Sequence, residues 1–229
     1  MITGEIKMLR DAWLIARKDL RIEIRSRIIT NQIAQYTLLI LVLFGFALDA
    51  DTRTLRYTAP GLFWVAVLLV ALLAIQRATT IETIDSAHQR ILLSSLDPSA
   101  VFAGKAIALC VQLLILEVLL AAAFIVLFDV SVSNPGLMVA TALVATVGIA
   151  AAGTIYGVLA VGLGMRETLL PILLLPVLAP VLISATRSFG DAFDQVDADG
   201  WAWLGMLGTF SVVYIVFGLL TYGILLEES

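Results

Sequence analysis

The sequence contains few charged residues, one histidine and one cysteine. Only 14% of its 229 residues are Asp, Glu, Lys or Arg, whereas 61% are apolar. Soluble domains carry about a quarter charged residues, so this composition excludes an ordinary water-soluble fold. The single cysteine, Cys110, excludes an intrachain disulfide and a cluster of metal-bound thiolates. The single histidine, His88, excludes a haem site held by two histidines of this chain.

The motifs that would make the chain an enzyme are also missing. The sequence around Gly104 resembles a nucleotide-binding loop, but Ser99 and Ala106 stand where that motif requires Gly and then Ser or Thr. His88 has no nucleophile and orienting acid arranged as in a hydrolase triad. The acidic residues 191–200 lack the closing glutamate of a calcium loop. We therefore expect no catalytic residue, no metal site and no cofactor site in this chain.

Long apolar runs are what the sequence does contain. A helix needs about 20 apolar residues to cross a bilayer core of ~30 Å. We therefore predict an all-α integral membrane protein in which residues 1–229 form one polytopic domain. Residues 1–27 lack the short apolar core of a cleavable signal peptide, so we expect none. The predicted transmembrane helices are residues 28–48, 58–76, 99–128, 135–164, 168–187 and 201–226, and the third and fourth are long enough to tilt or to split.

The basic residues predict the orientation of these spans. Eleven of the 14 Lys and Arg residues fall before the first span, in or beside the second connection, or in the fourth. The other three, Arg53, Arg56 and Arg187, fall on the opposite side. Cytoplasmic loops carry the excess of Lys and Arg, so both termini are predicted to be cytoplasmic and residues 191–200 external.

An amphipathic segment, residues 4–27, precedes the first span. Its apolar residues recur at three and four positions, and its arginines form a separate row four residues apart. We predict an "elbow" helix that lies along the cytoplasmic membrane surface. It either serves only as a topology anchor or also packs on the next span and on a partner protein. The apolar positions are Trp13, Ala16, Leu20 and Ile24, and the basic positions are Arg17, Arg21 and Arg25.

The connection after the second span, residues 77–98, is the largest one predicted on the cytoplasmic side. It mixes acidic, basic and apolar residues at helical spacing, which favours a short surface helix. This segment is either a solvated linker or a loop that docks a cytoplasmic protein and couples its motion to the spans. The candidate coupling residues are Glu82, Ile84, Asp85, His88, Arg90 and Leu92.

Two polar residues, Gln112 and Glu117, fall inside the third predicted span. An ionisable group at that depth is expensive and is a functional candidate. It is equally consistent with a neutral carboxyl that is hydrogen-bonded between helices. The sequence leaves both interpretations open.

Prolines and glycines mark two other spans. Pro176 and Pro180 lie four residues apart in the fifth span, where they free backbone carbonyls and predict a bend, either a hinge or a static shape. Gly153 and Gly157 form a small-xxx-small pair in the fourth span, which permits close helix contact.

Four segments occur in the order seen in one known family. They read "RKDLRIEIRSR", "APGLFWVAVLLVALLAIQR", "LLSSLDPSAVFAGK" and "LLPILLLPVLAPVLISATRS". Together they cover nearly the whole chain, and the "APG" entrance to the second span is the most specific piece. The sequence therefore resembles the CcmB family of cytochrome c maturation proteins.

This resemblance implies a function as well as a fold. CcmB proteins are similar to the membrane subunits of ABC-2-type transporters, with six spans, an elbow helix and a coupling loop. The resemblance implies a non-catalytic permease subunit in the bacterial inner membrane, paired with a second copy of itself and with an ATPase, CcmA. It also implies CcmC, CcmD and the haem chaperone CcmE as partners, with ATP bound to CcmA and haem bound to CcmC and CcmE. Hydrolysis would release haem-loaded CcmE.

Two other functional classes remain open from the residues. A generic ABC-2-type permease for a lipid, drug or glycan would have the same spans, elbow and loop. A membrane scaffold without a transport cycle would also contain no catalytic residue. Loss of the partner ATPase would leave a scaffold working and would stop either transporter.

Overall fold

Seven helices make up the regular structure of the described residues. The computed structural model describes residues 2–26, 34–47, 52–84, 97–128, 130–162, 166–195 and 199–228. In chain order the helices are α1 (Ile2–Ser26), α2 (Ala34–Ala47), α3 (Thr52–Ile84), α4 (Pro98–Phe128), α5 (Pro135–Gly162), α6 (Arg166–Ala192) and α7 (Gly200–Glu228).

Five of these helices are long and apolar enough to cross a membrane. They are the central parts of α3 to α7, and they correspond to the second to sixth predicted spans. The first predicted span, residues 28–48, begins outside the described residues, and α2 contributes an apolar stretch of only Leu38–Ala47. The structure therefore describes an integral membrane protein with five candidate spans, and a sixth span stays a prediction. The five stretches are Arg56–Thr80, Pro98–Phe128, Pro135–Ala160, Leu169–Ala192 and Gly200–Leu226.

Helix α3 extends well beyond the span predicted at residues 58–76. It begins at Thr52 and continues to Ile84 without a break. Residues 77–84, the first part of the predicted coupling loop, therefore prolong the membrane helix, and the rest of the predicted surface helix falls in residues 85–96, outside the described residues. No glycine or proline occurs between Arg77 and Ile84, so nothing in the backbone chemistry ends the helix there.

Helix α6 also runs past its predicted end at residue 187. It reaches Ala192, and a short turn follows in which Asp194 adopts a φ of 54°. Asp tolerates this left-handed conformation better than most residues. The predicted external segment, residues 191–200, is thus partly helical at both of its ends.

Helix α5 occupies the centre of the bundle and contacts α3, α4, α6 and α7. Its buried face consists mainly of small residues, including Ala145, Ala150, Ala152 and Gly153. Small side chains let neighbouring helix backbones approach closely, which is the main route to tight packing inside a bilayer. Helix α1 lies outside this centre and packs chiefly on α4.

Candidate coupling surface and membrane interior

Helix α1 contacts the first turns of α4 through small side chains. Ala12 and Ala16 are fully buried at this contact. Gly104 of α4 faces them, and a Cβ atom at that position would lie 2.6 Å from the Ala12 carbonyl oxygen and 2.8 Å from the Ile15 Cβ. Only glycine permits this approach without a shift. Among the described residues, α1 therefore packs chiefly on α4, which differs from the alternative in which it packs on the next span.

The apolar stripe predicted for α1 divides into two faces. Ala16 is buried against α4 and Leu20 is half-buried, whereas Trp13 is 59% exposed and Ile24 is 77% exposed. The three arginines of the predicted basic row, Arg17, Arg21 and Arg25, are exposed as well. The helix thus presents an apolar ridge beside a basic row on surfaces that the described residues leave uncovered. The predicted stripe was wrong in placing Ala16, which packs on α4, on the same face as the exposed Trp13 and Ile24.

A buried ion pair joins α1 to the end of α3. Arg77 Nε lies 3.1 Å from Glu23 Oε2, and the two side chains are only 18% and 10% exposed. Glu23 was not among the predicted site residues. It follows Ala12, Ala16 and Asp19 at spacings of four, three and four, so it belongs to the helix face that contacts the bundle. This periodicity would have identified Glu23 as an inward-facing acid.

Helix α4 begins at a well-formed cap. Asp97 Oδ1 accepts hydrogen bonds from the Ser99 backbone N–H at 2.9 Å and from the Ser99 hydroxyl at 2.6 Å. Pro98 occupies the first helical position, where its missing N–H leaves no partner unsatisfied. The start of α4 is therefore fixed locally, immediately after the predicted coupling loop.

Most of the predicted coupling loop lies outside the described residues. Glu82 and Ile84 belong to the final turns of α3. The other four candidates, Asp85, His88, Arg90 and Leu92, fall in residues 85–96, which the structure does not describe. The structure therefore locates the two ends of this loop, at α3 and at Asp97. The docking role of its residues stays a prediction.

Glu117 lies between two helices in the middle of the bundle. It is 4% exposed, and the Thr146 hydroxyl of α5 donates a hydrogen bond of 2.7 Å to its Oε1. Thr146 Oγ1 also lies 2.7 Å from the Ala142 carbonyl. Glu117 Oε2 has no hydrogen-bond partner among the described residues. This geometry favours the second interpretation of Glu117, a polar contact between α4 and α5. Gln112 is half-buried one and a half turns away and lines a cavity near α1.

Gly153 and Gly157 bring α5 close to α3. A Cβ atom at Gly153 would lie 2.5 Å from Ile75 Cδ1, and one at Gly157 would lie 3.0 Å from Thr79 Cγ2. A larger residue at Gly153 would have to displace Ile75, which is itself buried. The pair therefore positions α3, the helix that carries Arg77, against the centre of the bundle.

Helix α6 continues through its prolines. Pro176 is exposed and Pro180 is half-buried, both away from the most buried face of the helix. Proline has no backbone N–H, so the carbonyl four residues earlier loses its usual donor. Next to that position the Tyr214 hydroxyl of α7 donates to the Val177 carbonyl at 2.5 Å, and the Ser184 hydroxyl donates to the Pro180 carbonyl at 2.8 Å. These hydroxyls thus add hydrogen bonds to carbonyls near the prolines, although the carbonyls that Pro176 and Pro180 leave without a donor are those of Ile172 and Pro176.

Comparison with known proteins yields one consistent group of relatives. The family described as "CcmB protein" matches residues 10–227. The chain is 33% identical over 199 residues to "Heme exporter protein B" of Escherichia coli (strain K12), covering 86% of this chain and 88% of that protein. It is 29% identical over 198 residues to the protein of the same name from Haemophilus influenzae, covering 86% and 89%. A third such protein, from Rhodobacter capsulatus, is 28% identical over 185 residues and covers 81% and 83%.

Proposed function

The chain belongs to the CcmB family, and on this premise we propose that it is a haem-related membrane subunit of the cytochrome c maturation system. Its relatives are named heme exporter protein B, which supports a transporter component that is not itself catalytic. More specifically, the chain couples ATP hydrolysis by a partner ATPase, CcmA, to release of haem-loaded CcmE from CcmC. CcmD and a second copy of the chain complete this proposed complex. The family match favours this function over a generic lipid, drug or glycan permease.

The proposed position is in the bacterial inner membrane with both termini in the cytoplasm. The five apolar helices support a multi-pass membrane protein. The excess of Lys and Arg at the α1 side of the chain supports the orientation. The exposed ridge of Trp13 and Ile24, beside the exposed arginines, supports placing α1 along the cytoplasmic surface among anionic headgroups.

The ion pair between Arg77 and Glu23 is the observation that carries the coupling proposal. Helix α1 contacts α4 at Gly104 and α3 at Arg77, and these two helices flank the predicted docking loop. A partner that binds the loop or α1 differently in its two nucleotide states would therefore shift both helices together. Such a differential interaction is what any ligand needs to change a conformational equilibrium.

Charge reversal at this pair tests the proposal. Arg77→Glu places two acids together in a partly desolvated site, so we expect α1 to detach from α3 and coupling to fail. Haem-loaded CcmE should accumulate on CcmC while the ATPase still hydrolyses ATP. The double variant Glu23→Arg with Arg77→Glu restores opposite charges and should recover at least part of cytochrome c maturation. Lys7→Glu makes the same charge change as Arg77→Glu on an exposed surface of α1 and should leave maturation unchanged.

Two results would contradict the coupling proposal. One is normal maturation with the single variant Arg77→Glu in a properly inserted protein. The other is loss of maturation together with normal release of CcmE, which would place the defect after this subunit. Recovery by the double variant separates loss of the contact from misfolding, because both variants carry the same change at Arg77.

Haem ligation is proposed to belong to CcmC and CcmE. The chain has one histidine, His88, in the predicted cytoplasmic loop, so it offers no pair of axial imidazoles. The chain purified alone should show no bis-histidine haem absorption spectrum, and co-expression with CcmC should restore haem to the preparation. Stoichiometric haem with two histidine ligands in the isolated chain would contradict this assignment.

A further inference from the structure

A cavity of about 100 Å³ lies where α1 covers the end of the helix bundle. Helices α1, α3, α4, α5 and α7 all contribute to its wall. The contributing residues lie in the last turns of the apolar stretches of α3, α5 and α7 and in the early turns of α4. The cavity is therefore at one end of the membrane-spanning region, at the depth where a bilayer changes from hydrocarbon to headgroups.

Charged residues line the cavity on the α1 side, and residues with small side chains line the opposite side. Lys18, Asp19 and Glu23 line it from α1, and Lys105 lines it from α4. Ala74, Ala108, Gly153 and Gly157 form the inner wall. The small residues leave the space open, and the charged residues determine what can enter it.

Both signs of charge are present and held in place. Lys18 Nζ lies 3.1 Å from Asp19 Oδ1, and Glu23 is paired with Arg77. Several polar side chains in the wall are themselves buried, since Glu23 is 8% exposed and Thr79 is 7% exposed. Glu23 and Thr79 are thus built into the packed structure of the site, whereas the side chain of Lys18 is 55% exposed.

We propose that this cavity binds the headgroup of a phospholipid that carries ethanolamine. The phosphate accepts hydrogen bonds from the ammonium groups of Lys18 and Lys105. The headgroup ammonium lies near the carboxylates of Asp19 and Glu23, which makes the site complementary to a zwitterion and not to a purely anionic lipid. The acyl chains remain outside, because a cavity of this volume holds a few water-sized groups and no hydrocarbon chain.

The size of the cavity favours ethanolamine over choline. Three methyl groups on the choline nitrogen add bulk and remove every N–H donor. An ethanolamine ammonium has three donors, which suit the two carboxylates and the hydroxyl of Thr79. A bound headgroup would contact α1 and α4 together and hold the elbow on the bundle. This inference depends on the membrane position of the helices and not on the ATPase partner.

Lipid retention measures the binding. The full chain, extracted with its partners, is reconstituted in nanodiscs of ethanolamine, glycerol or choline phospholipids with the same acyl chains. After transfer to mild detergent, native mass spectrometry counts the lipids that stay bound. We expect about one ethanolamine phospholipid per chain, retained about tenfold more than either of the other two. Preferential retention of the glycerol lipid, or equal retention of all three, would overturn the proposal.

Two variants link the retained lipid to this cavity. Lys18→Gln should lower ethanolamine lipid retention several-fold, and Ala78→Phe should abolish it by filling the opening that Ala78 lines. Both residues are largely exposed, so both variants should fold. Lys7→Gln and Ala202→Phe make the same changes at exposed positions away from the cavity and should retain the lipid. Unchanged retention in Lys18→Gln and Ala78→Phe would overturn the proposal, because the lipid would then bind elsewhere.

Discussion

The two ends of the bundle are built from different chemistry. The end opposite α1, here called the aromatic end, contains six rings whose neighbouring centroids are 4.5 to 5.5 Å apart. The end covered by α1, here called the α1 end, contains alanines, glycines, an ion pair and a cavity, together with the ring pair of Phe102 and Tyr222. The six rings of the aromatic end belong to Phe63, Trp64, Phe124, Phe128, Phe189 and Phe193.

Hydrogen bonds repeat this contrast. At the aromatic end the backbone N–H groups of Ser133 and Asn134 donate to the Ala192 carbonyl at 3.0 and 3.1 Å. The Gly200 N–H donates to Asp191 Oδ2 at 3.0 Å, which ties α7 to α6. At the α1 end, the described contact between α1 and α3 is a side-chain ion pair. Close-packed rings and backbone hydrogen bonds resist displacement of one helix against another, whereas an ion pair between long side chains can be kept when the helices shift slightly. The α1 end is therefore the end at which the helices can move relative to one another.

The largest expected effect concerns the sides of the membrane on which the two ends lie. A reporter fused after Ser229 should be active only in the cytoplasm, and one inserted beside Gln195 should be active only outside. The excess of basic residues at the α1 end is the physical reason. Alkaline phosphatase and a fluorescent protein give opposite readings at each site. If both positions report the same side, α7 does not cross the membrane, and if the two readings are exchanged, the orientation is the reverse of the predicted one. Either result would contradict the assignment of the α1 end to the cytoplasm.

A large stability effect is expected at the aromatic end. Phe189 is fully buried and its ring contacts those of Phe63, Trp64 and Phe193. Phe189→Ala should lower the free energy of unfolding by about 3–5 kcal/mol, because it removes buried contacts and leaves a cavity. Thermal unfolding in mild detergent measures this loss. Phe217→Ala removes the same side chain from a position that is 51% exposed and should have little effect. Equal losses at both sites would show that the aromatic end is not specially packed.

Sequence reasoning located the helices better than their contacts. Apolar runs identify spans because the bilayer thickness imposes a length on them. The spacing of Gly153 and Gly157 indicated close packing but did not name α3 as the partner. Glu23 was overlooked because charge in an amphipathic helix suggests solvent. Its partner, Arg77, is 54 positions away, and only tertiary structure brings the two together.

A moderate effect is expected at the contact between α1 and α4. Gly104→Ala adds a methyl group 2.6 Å from the Ala12 carbonyl, so α1 must shift outward. Overpacking of this kind destabilises a contact by about 1–3 kcal/mol. Because alanine keeps the α4 span apolar, the variant should insert normally but bind its ATPase less tightly, as measured by co-purification. Gly205→Ala has no atom within 4 Å and serves as the matched control. Normal ATPase binding by Gly104→Ala would show that α1 position does not matter for docking.

The smallest effect is expected for Glu117→Gln, midway between the two ends. Glu117→Gln keeps a carbonyl oxygen that can accept the Thr146 hydrogen bond, so the free energy of unfolding should change by less than about 1 kcal/mol. Thr146→Val removes the donor and leaves the buried carboxyl without its partner, which should destabilise the protein by about 1–3 kcal/mol. If Glu117 is only a contact between α4 and α5, Glu117→Gln will also mature cytochrome c at the normal rate. A stable Glu117→Gln variant that fails to mature cytochrome c would instead show that an ionisable carboxyl is required there. The region in which the helices can move relative to one another would then extend from the α1 end into the middle of the membrane.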